Sequence, residues 1–378
     1  MQKAVRTLLS VALAIGVMQS TRSNAQDGRT SAAGAVFVMT NAADRNEIIS
    51  FKRAADGSLQ EGRRFATGGR GTGGVTDPLE SQGSLTLSRD HSFLFAVNGG
   101  SGEVSVFIVH GSDLALVDKV VSGGGEPNAV AQHGNLVYVL NVGGSSNVVG
   151  FRLNAGGQLR QIPNSIHFLT TNNSNAASLA FSPDGQFLLV TERATNNIDA
   201  FHVQDDGTLG PIVVNSSPNP GAFSVTFAPN GAALVSETGP AGGNNASTIS
   251  SYAVVPNGTL SAISSAVPTL GNANCWNAVT PDGRWVYVSN AASATISGFA
   301  ISGTGALTPL PGTVVGTNPT GSTNLDIAIS ADSKFLYSLD SGTGRISIFG
   351  IRQDGTLNSL GEADGLSEDA GFNGIAAL

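Results

Sequence analysis

Apolar and polar residues follow one another along this chain in blocks that are typical of short antiparallel strands joined by tight turns. Residues 178–209 show the block most clearly: an apolar run, a Pro-Asp-Gly turn, a second apolar run, an alternating third run and an Asp-Gly turn. Strand-length apolar runs between such turns predict β-hairpins. No helical period is sustained along the sequence, which favours an all-β fold.

This block is repeated seven times. The second apolar run of each repeat ends on a polar residue, at intervals of 43 to 57 residues. These residues are Asn41, Asn98, Asn141, Glu192, Glu237, Asn290 and Asp340. An aromatic residue follows in each third run, at Phe51, Phe107, Phe151, Phe201, Tyr252, Phe299 and Phe349. Repeats of about 40–50 residues with four strands each indicate propeller blades, so the sequence predicts a seven-bladed β-propeller of four-stranded antiparallel blades.

The two ends of the chain predict how the ring closes. The run Ala35–Asn41 has the form of a second strand, but no first strand precedes it. A matching first strand is found at the other end, in Gly374–Leu378. A blade shared by the N- and C-terminal strands removes the exposed edges of an open array. We therefore expect residues 35–378 to form a single propeller domain.

Connection length differs between the two faces of the predicted ring. The Pro-Asp-Gly and Asp-Gly-x-Leu turns all fall on one face, which we call the short-turn face. Variable loops on a rigid scaffold are where binding sites usually lie, so we expect the site on the opposite, long-loop face, near the axis. The long-loop face carries the segments Phe65–Gln82, Ser122–Pro127, Leu169–Ala177, Ser216–Ala222, Gly239–Ser247, Gly271–Trp276 and Gly316–Asn324.

The first 25 residues have the form of a secretory signal peptide. Lys3 and Arg6 precede the apolar segment Leu8–Met18, which is too short to span a bilayer, and Ser23-Asn24-Ala25 supplies the small residues of a cleavage site. A disordered or interfacial N-terminus is the alternative. The signal peptide predicts a periplasmic or secreted protein in which residues 26–34 are a flexible N-terminus.

The composition limits the partners of the chain. Charged residues make up 12% of it, about half of the usual share. Removal of residues 1–25 would change the net charge from −8 to −11, and an acidic chain without basic runs is poorly suited to nucleic acid or an anionic membrane. The single cysteine, Cys275, cannot form an internal disulfide. We expect a monomer that binds a small molecule, with no metal or other cofactor and no membrane contact after signal removal.

Two acidic residues are the candidate catalytic groups. Glu192 and Glu237 end the second strands of adjacent repeats, where the other five repeats have Asn or Asp. Two carboxyl groups in one cleft suit general acid and base roles, because each affects the pKa of the other. Arg193 follows Glu192 and is a candidate for holding an anionic substrate group. The alternative is that both glutamates form ion pairs or cap the blades.

Further candidates for substrate binding lie where the first strands reach the long-loop face. Trp276 and Asn277 begin one first strand, and Asp326 lies on the next. A Trp at this place lines a pocket or packs between blades. Cys275 is interpreted as a small buried hydrophobic residue, because no histidine is positioned to activate its thiol. The five histidines also lack the close spacing of a zinc site.

The repeated pattern resembles the seven-bladed propeller lactonases, a family that includes 6-phosphogluconolactonases and carboxymuconate cyclases. The resemblance is closest in FLLVTERATNNIDAF, ALVSETG and CWNAVTPDGRWVYVSN. It implies lactone hydrolysis, with Glu237 as a retained acidic residue and Asn290 in the place of a substrate-binding Asn-Arg pair. The chain departs from the family where a Pro-His-x-His motif corresponds to residues 173–177, a Pro-Arg-His motif to residues 222–224, and the Asn-Arg pair to Asn290-Ala291. It therefore resembles an exported, divergent branch.

Two functions are consistent with these features. The first is a hydrolase of carbohydrate metabolism that opens a sugar or aromatic lactone, or a related cyclase, with Glu237 or Glu192 as general base on water or on a substrate carbon and Arg193 orienting a carboxylate. The second is a non-catalytic exported propeller that binds a small ligand or a protein through the long-loop face. A propeller fold alone does not decide between them, because propellers host many functions.

Overall fold

Residues 34–368 and 370–378 are described by a computed structural model, and nearly all of their regular structure is β-strand. The helical structure in this part of the chain is one 3₁₀ turn, Ala291–Ser293. Within the same residues, no helix has the length and apolar character needed to cross a membrane. The predicted signal peptide lies outside the described residues, as does the predicted flexible N-terminus apart from Gly34, which already belongs to the first strand.

Seven antiparallel sheets form a ring, and each sheet is one blade. From the axis outwards, blade 1 contains β29 (Ile375–Ala377), β1 (Gly34–Met39), β2 (Glu47–Arg53) and β3 (Leu59–Ala66). Blade 2 contains β4 (Leu85–Leu87), β5 (Phe93–Asn98), β6 (Glu103–His110) and β7 (Asp113–Val121). Blade 3 contains β8 (Gly125–His133), β9 (Leu136–Gly143), β10 (Asn147–Leu153) and an outer edge made of β11 (Leu159–Gln161) and β12 (His167–Phe168).

The remaining four blades follow the same order. Blade 4 contains β13 (Ala176–Phe181), β14 (Phe187–Glu192), β15 (Asn197–His202) and β16 (Val213–Ser216). Blade 5 contains β17 (Ala222–Phe227), β18 (Ala233–Glu237), β19 (Thr248–Val254) and β20 (Leu260–Pro268). Blade 6 contains β21 (Asn274–Val279), β22 (Trp285–Asn290), β23 (Thr295–Ile301) and β24 (Leu307–Thr317), and blade 7 contains β25 (Asn324–Ile329), β26 (Phe335–Asp340), β27 (Arg345–Ile351) and β28 (Leu357–Ala363).

The predicted fold class is confirmed, including the closure of the ring. The C-terminal strand β29 pairs with β1 in an antiparallel register in which Phe37 lies opposite Ala376. The backbone N–H of Ile375 also donates to Asp326 Oδ2 of blade 7 at 3.2 Å. The last strand of the chain therefore connects blade 7 to the N-terminal strands of blade 1.

The short turns between first and second strands owe their shape to a hydroxyl–carboxylate pair. Ser182 Oγ donates to Asp184 Oδ1 at 2.6 Å, and the same carboxylate oxygen accepts the N–H of Gln186 at 3.1 Å. Gly185 adopts a φ of +73°, which glycine adopts at little steric cost. A hydroxyl residue followed two positions later by an aspartate therefore specifies a tight hairpin. Equivalent hydroxyl–aspartate pairs occur at Ser88–Asp90, Thr280–Asp282 and Ser330–Asp332.

Blades are held to one another by buried aromatic residues. The seven third-strand aromatics are all buried between sheets. Three second-strand tyrosines add a hydrogen bond to the next blade: the hydroxyls of Tyr138, Tyr287 and Tyr337 donate to the carbonyls of Gly207, Gly355 and Gly57. The last of these bonds runs from blade 7 to blade 1. The core therefore lies between the blades.

Candidate functional site

The first strands of blades 3 to 7 are irregular where they approach the long-loop face. Each pairs with its second strand through a register shift, at which one or two residues are left unpaired. β-Bulges re-aim side chains and are over-represented beside functional sites. The unpaired residues are Asn128, Ala177, Phe223-Ser224, Cys275 and Leu325-Asp326.

Residues 73–84, which we call the axial strap, cross the centre of this face. Ser81 Oγ donates to the carbonyl of Asn128 in blade 3, and the N–H of Gln82 donates to the carbonyl of Ala177 in blade 4. The side chain of Gln82 bonds both the N–H and the carbonyl of Asn277 in blade 6, at 3.0 and 2.8 Å. A segment that contacts the inner strands of blades 3, 4 and 6 must run across the axis, so the strap divides the central channel.

Arg193 lies at the edge of the strap. Its guanidinium forms an ion pair with Glu80, and its Cζ lies 5.8 Å from the centroid of the Phe223 ring. Asn175 Nδ2 also donates to Glu80 at 3.4 Å. The arginine is 27% exposed and the glutamate 50% exposed, so both charges are accessible to a ligand from solvent.

Asp77 is the second carboxyl group of the strap. Its Oδ1 accepts a hydrogen bond of 2.8 Å from Asn373 Nδ2, a residue just before β29. Burial, together with the negative charge of Glu80, raises the pKa of Asp77 to about 8, although the charge of Arg193 opposes the shift. The proton affinity of this carboxyl group is therefore matched to neutral pH.

Two neighbouring residues of the inner strands are also desolvated. Burial raises the pKa of Asp326 to about 7, although its carboxylate accepts the N–H groups of Ile327 and Ile375. Burial and the nearby charge of Asp77 raise the pKa of the Cys275 thiol. The thiol stays protonated near neutral pH, which agrees with its interpretation as a small buried hydrophobic residue.

A cavity of about 690 Å³ opens on the long-loop face beside the strap, between blades 4, 5 and 6. Its wall includes Arg193, Cys275 and the loop from Thr238 to Asn244. Arg193 is the charged residue among those that line it. The cavity therefore combines a single cation with neutral polar loops, an arrangement suited to a small ligand that carries or develops one negative charge.

Five of the polar residues that end second strands form a recurring contact, which we call the interblade clasp. In each case the residue packs against the connection that follows the outer strand of the preceding blade. Asn98, Asn141 and Asn290 all have a glycine against the side-chain amide, at Gly69, Gly124 and Gly271. Asn290 Nδ2 donates to Ser297 Oγ at 2.8 Å, and Ser297 Oγ in turn donates to the carbonyl of Thr269 at 2.6 Å. Asn290 is fully buried in this network.

Glu192 and Glu237 occupy the same positions in blades 4 and 5 and are also fully buried. Glu192 Oε1 accepts the N–H of Thr170 at 2.9 Å, and Oε2 accepts the hydroxyls of Thr170 and Thr195. Glu237 accepts the hydroxyls of Ser217 and Thr248, and burial raises its pKa. Each glutamate contacts a different blade interface, and neither lines the cavity beside the strap.

The other predicted binding residues are buried near the axis. Trp276 Nε1 donates to the carbonyl of Ser81 in the strap, and its ring packs edge-on against Phe223 at a centroid distance of 5.2 Å. Asn277 binds Gln82 through its backbone and donates to Ser224 and Ser236 through Nδ2. The structure therefore brings Arg193, Trp276, Asn277 and Asp326 to the strap, and it places Glu192, Glu237 and Asn290 in clasps.

Sequence reasoning did not single out Asp77, Glu80 or Phe223. The available signal was that Phe65–Gln82 is the longest connection of the long-loop face and carries two acidic residues near its end. Phe223 stands in one of the positions where the chain departs from the family motif. Its aromatic ring supports both Arg193 and Trp276 in the structure.

The clasp predicts a large effect for a very small substitution. In Gly271→Ala, the added methyl group would lie 2.2 Å from Cγ of the buried Asn290, and we expect a loss of about 1–3 kcal/mol in the free energy of unfolding. Gly303→Ala is the matched control, because no atom lies within 4 Å of its added methyl group. Neither glycine has a positive φ. Equal unfolding free energies in urea for the two variants would contradict the clasp.

Comparison with known proteins places this fold in a family. The family model "Lactonase, 7-bladed beta-propeller" matches residues 128–236 and 225–365, which is more than half of the chain. No protein of curated function matches the sequence. A candidate 6-phosphogluconolactonase from Bacteroides uniformis has 19% identity and a TM-score of 0.68, over 91% of this chain and 99% of its own. The periplasmic gluconolactonase PpgL of Pseudomonas aeruginosa has 18% identity and a TM-score of 0.66, over 90% and 99%. The chain therefore belongs to the seven-bladed β-propeller lactonase family.

Proposed function

We propose that this protein hydrolyses a small sugar or aromatic lactone in the cavity beside the axial strap. The observation that carries the proposal is Arg193, whose guanidinium stands in the wall of the cavity with Glu80 and Phe223 beside it. Hydrolysis of a lactone places negative charge on the carbonyl oxygen in the transition state and on a carboxylate in the product. A fixed guanidinium near the reacting group stabilises both species. Family membership supports the same reaction class.

The contacts of the acidic residues indicate which of them take part in catalysis and which stabilise the fold. The carboxylates of Glu192 and Glu237 already accept hydrogen bonds from their own blade interfaces. Use of either as a general base would require the clasp to open. In the strap, Glu80 is paired with Arg193 at the edge of the cavity, where its carboxylate is half exposed to solvent. We therefore assign the acid–base chemistry to the strap and stability to the two clasp glutamates.

A second function is a propeller that binds its ligand without turnover. The observation that favours it is the burial of Glu192 and Glu237, together with the absence of histidine from residues 173–177 and from the cavity wall. In that case Arg193 would hold the carboxylate of a hydroxy acid, or a protein would occupy the long-loop face. The signal-peptide pattern supports a periplasmic or secreted site of action for either function.

A lactone panel separates the two functions. We expect the purified protein to hydrolyse D-glucono-1,5-lactone or dihydrocoumarin in a pH-stat assay. Arg193→Gln should lower kcat/KM at least about tenfold, which corresponds to about 1.4 kcal/mol, with little change in Tm. Glu192→Gln and Glu237→Gln should lower Tm and leave the activity of the folded fraction close to wild type.

The matched control for Arg193 is Arg45→Gln, because Arg45 is an exposed arginine that is paired with Glu47 in blade 1. It should behave as wild type. If no lactone is hydrolysed and gluconate raises Tm, the protein is a propeller that binds its ligand without turnover and not a hydrolase. Loss of turnover in Glu192→Gln and Glu237→Gln at unchanged Tm would assign the acid–base chemistry to these two glutamates instead of the strap.

A further inference from the structure

We propose that Asn196 and Asn272 determine ligand specificity in the cavity beside Arg193, by donating hydrogen bonds from their side-chain amides to oxygen atoms of the ligand. Both residues line the cavity, and both are half-buried. The inference rests on the proposed function only in taking this cavity as the place where the substrate binds. It deepens that function, because Arg193 recognises one negatively charged group and does not select the rest of a small ligand.

Hydrogen bonds from the backbone fix the orientation of both amides. Asn196 Oδ1 accepts the N–H of Gly221 at 2.6 Å. Asn272 Oδ1 accepts the N–H of Asn245, also at 2.6 Å. A backbone N–H is a donor only, so the atom that faces it must be the amide oxygen and not the amide nitrogen. Each Nδ2 group therefore lies on the other side of its amide, and within the described residues neither donates to a protein acceptor.

Several backbone donors of the cavity wall are already occupied. The N–H of Gly221 is bound by Asn196. Among the described residues that line the cavity, none is acidic. We therefore expect the side-chain donors to make most of the polar contacts with a ligand, and such a wall suits a ligand that is rich in acceptor oxygens. The backbone N–H groups that donate to backbone carbonyls are those of Thr238, Gly239, Gly243 and Ala292.

The fold does not require an asparagine at either position. Asn196 is the last residue of the turn between β14 and β15, and it has a φ of +58°. Asn272 follows the glycine of its clasp, and the residues in the same place in blades 2 and 3 are Arg70 and Gly125. The two amides are therefore a feature of this cavity and not of the repeat. The residues equivalent to Asn196 in blades 2, 6 and 7 also have a positive φ, and they are Gly102, Ala294 and Gly344.

Arg193 and the two amides complement a small acid, or its lactone, that carries further oxygen atoms. The guanidinium binds a carboxylate, and each amide NH2 group donates to a hydroxyl, ether or carbonyl oxygen. A carboxylate on a plain alkyl chain also satisfies Arg193, but it displaces water from the amides without supplying an acceptor. The expected preference is therefore for oxygen atoms along the ligand and not for negative charge alone.

The test compares gluconate with hexanoate by isothermal titration calorimetry at pH 7. Both ligands have six carbon atoms and one carboxylate, and gluconate alone carries hydroxyl groups. Wild type should bind gluconate at least about tenfold more tightly than hexanoate. In Asn196→Asp and in Asn272→Asp, one oxygen still accepts the backbone N–H but the donor is lost, so the preference should fall about threefold or more in each. The added negative charge weakens the binding of both ligands and therefore cancels in their ratio.

Two further variants separate the donor from other effects. Asn196→Gly removes the amide without adding charge, and glycine suits the positive φ, as it does in blades 2 and 7. Its preference for gluconate should fall as in Asn196→Asp. Asn257→Asp is the matched control, because Asn257 Oδ1 also accepts a backbone N–H, that of Thr259 at 3.0 Å, on the short-turn face. It should keep the wild-type preference.

The outcomes separate this inference from the proposed hydrolase. Equal binding of the two ligands to wild type, or no binding of gluconate, overturns the role of the asparagines. A wild-type preference in Asn196→Asp, Asn196→Gly and Asn272→Asp overturns it as well. If the preference falls in these variants and no lactone is hydrolysed, only the hydrolase is overturned. If a lactone is hydrolysed, the same variants should raise KM with little change in kcat.

Discussion

Deletion of the last seven residues, Phe372–Leu378, is expected to unfold the whole ring. The deletion removes the first strand of blade 1, including the buried side chains of Phe372 and Ile375. Each of these side chains contributes about 1.5–3 kcal/mol by burial, so the two together contribute about 3–6 kcal/mol. That is comparable to the entire stability of a typical domain. Thermal unfolding followed by circular dichroism should show a lost or strongly lowered transition.

The reason for a global effect is that these residues connect both neighbouring blades. Asn373 accepts a hydrogen bond from Ser84 of blade 2 and donates one to Asp77 of the strap. Ile375 donates to Asp326 of blade 7. Deletion of Leu378 alone is the control, because it removes the bond from its N–H to the carbonyl of Ala35 and the packing of one partly buried side chain but keeps β29. It should lower Tm by a few degrees. A wild-type transition in the seven-residue deletion would contradict ring closure through β29.

The fold could be predicted from the sequence because the signals that specify it are local. Each blade needs apolar runs of strand length, and in four blades the first turn has a hydroxyl residue followed two positions later by an aspartate. Ser182, Asp184 and Gly185 form their contacts within a few residues of one another. Sevenfold repetition then makes each weak signal visible. The shared blade was predictable for the same reason, since one strand was missing at one end and present at the other.

The candidate site was harder to predict from the sequence because it depends on contacts between residues that are distant in sequence. Gln82 and Asn277 are joined across the axis by two hydrogen bonds, and nothing in either segment indicates the other. Glu192 and Arg193 are adjacent in sequence but lie in different environments. Successive side chains point in opposite directions here, so Glu192 points into the interface between blades, whereas Arg193 reaches Glu80 in the strap. Which of two neighbouring residues faces a cavity is therefore decided by strand geometry and by the path of a remote loop.

Asp199 provides the clearest case of a buried acidic residue with a stability cost. It lies on β15, diagonally across from Glu192 on β14, and both side chains are fully buried. Within the described residues, neither carboxyl oxygen of Asp199 accepts a hydrogen bond from a donor, and its side chain contacts Glu192. Blades 2, 5, 6 and 7 have a serine at the equivalent position, namely Ser105, Ser250, Ser297 and Ser347.

Two carboxyl groups in contact inside an interface cannot both carry a charge at low cost. Burial, with the charge of Glu192, raises the pKa of Asp199 to about 8. The protonated Asp199 then donates a hydrogen bond to Glu192. The neighbouring histidine, His167, packs edge-on against Phe201, and burial lowers its pKa, so it does not supply a compensating positive charge near neutral pH.

The sign of the pH dependence follows from this raised pKa. Below about pH 4, Asp199 binds its proton in both the folded and the unfolded protein, so it costs nothing. Between about pH 4 and 8 the folded protein keeps a proton that the unfolded chain releases, and the free energy of unfolding falls by up to about 1.4 kcal/mol per pH unit from this group. Asp77 and Asp326 act in the same direction, and they are common to wild type and to variants of Asp199.

Asp199→Asn should therefore flatten the stability profile. The asparagine amide donates to Glu192 at every pH, so the variant should equal wild type near pH 4 and exceed it by more than about 1 kcal/mol at pH 8. Urea unfolding at several pH values measures the difference. In Glu192→Gln the charge that raises the pKa of Asp199 is absent, so the free energy of unfolding should stop falling at a lower pH than in wild type. A wild-type slope in Asp199→Asn would show that Asp199 is ionised in the folded protein and that the two carboxyl groups do not share a proton.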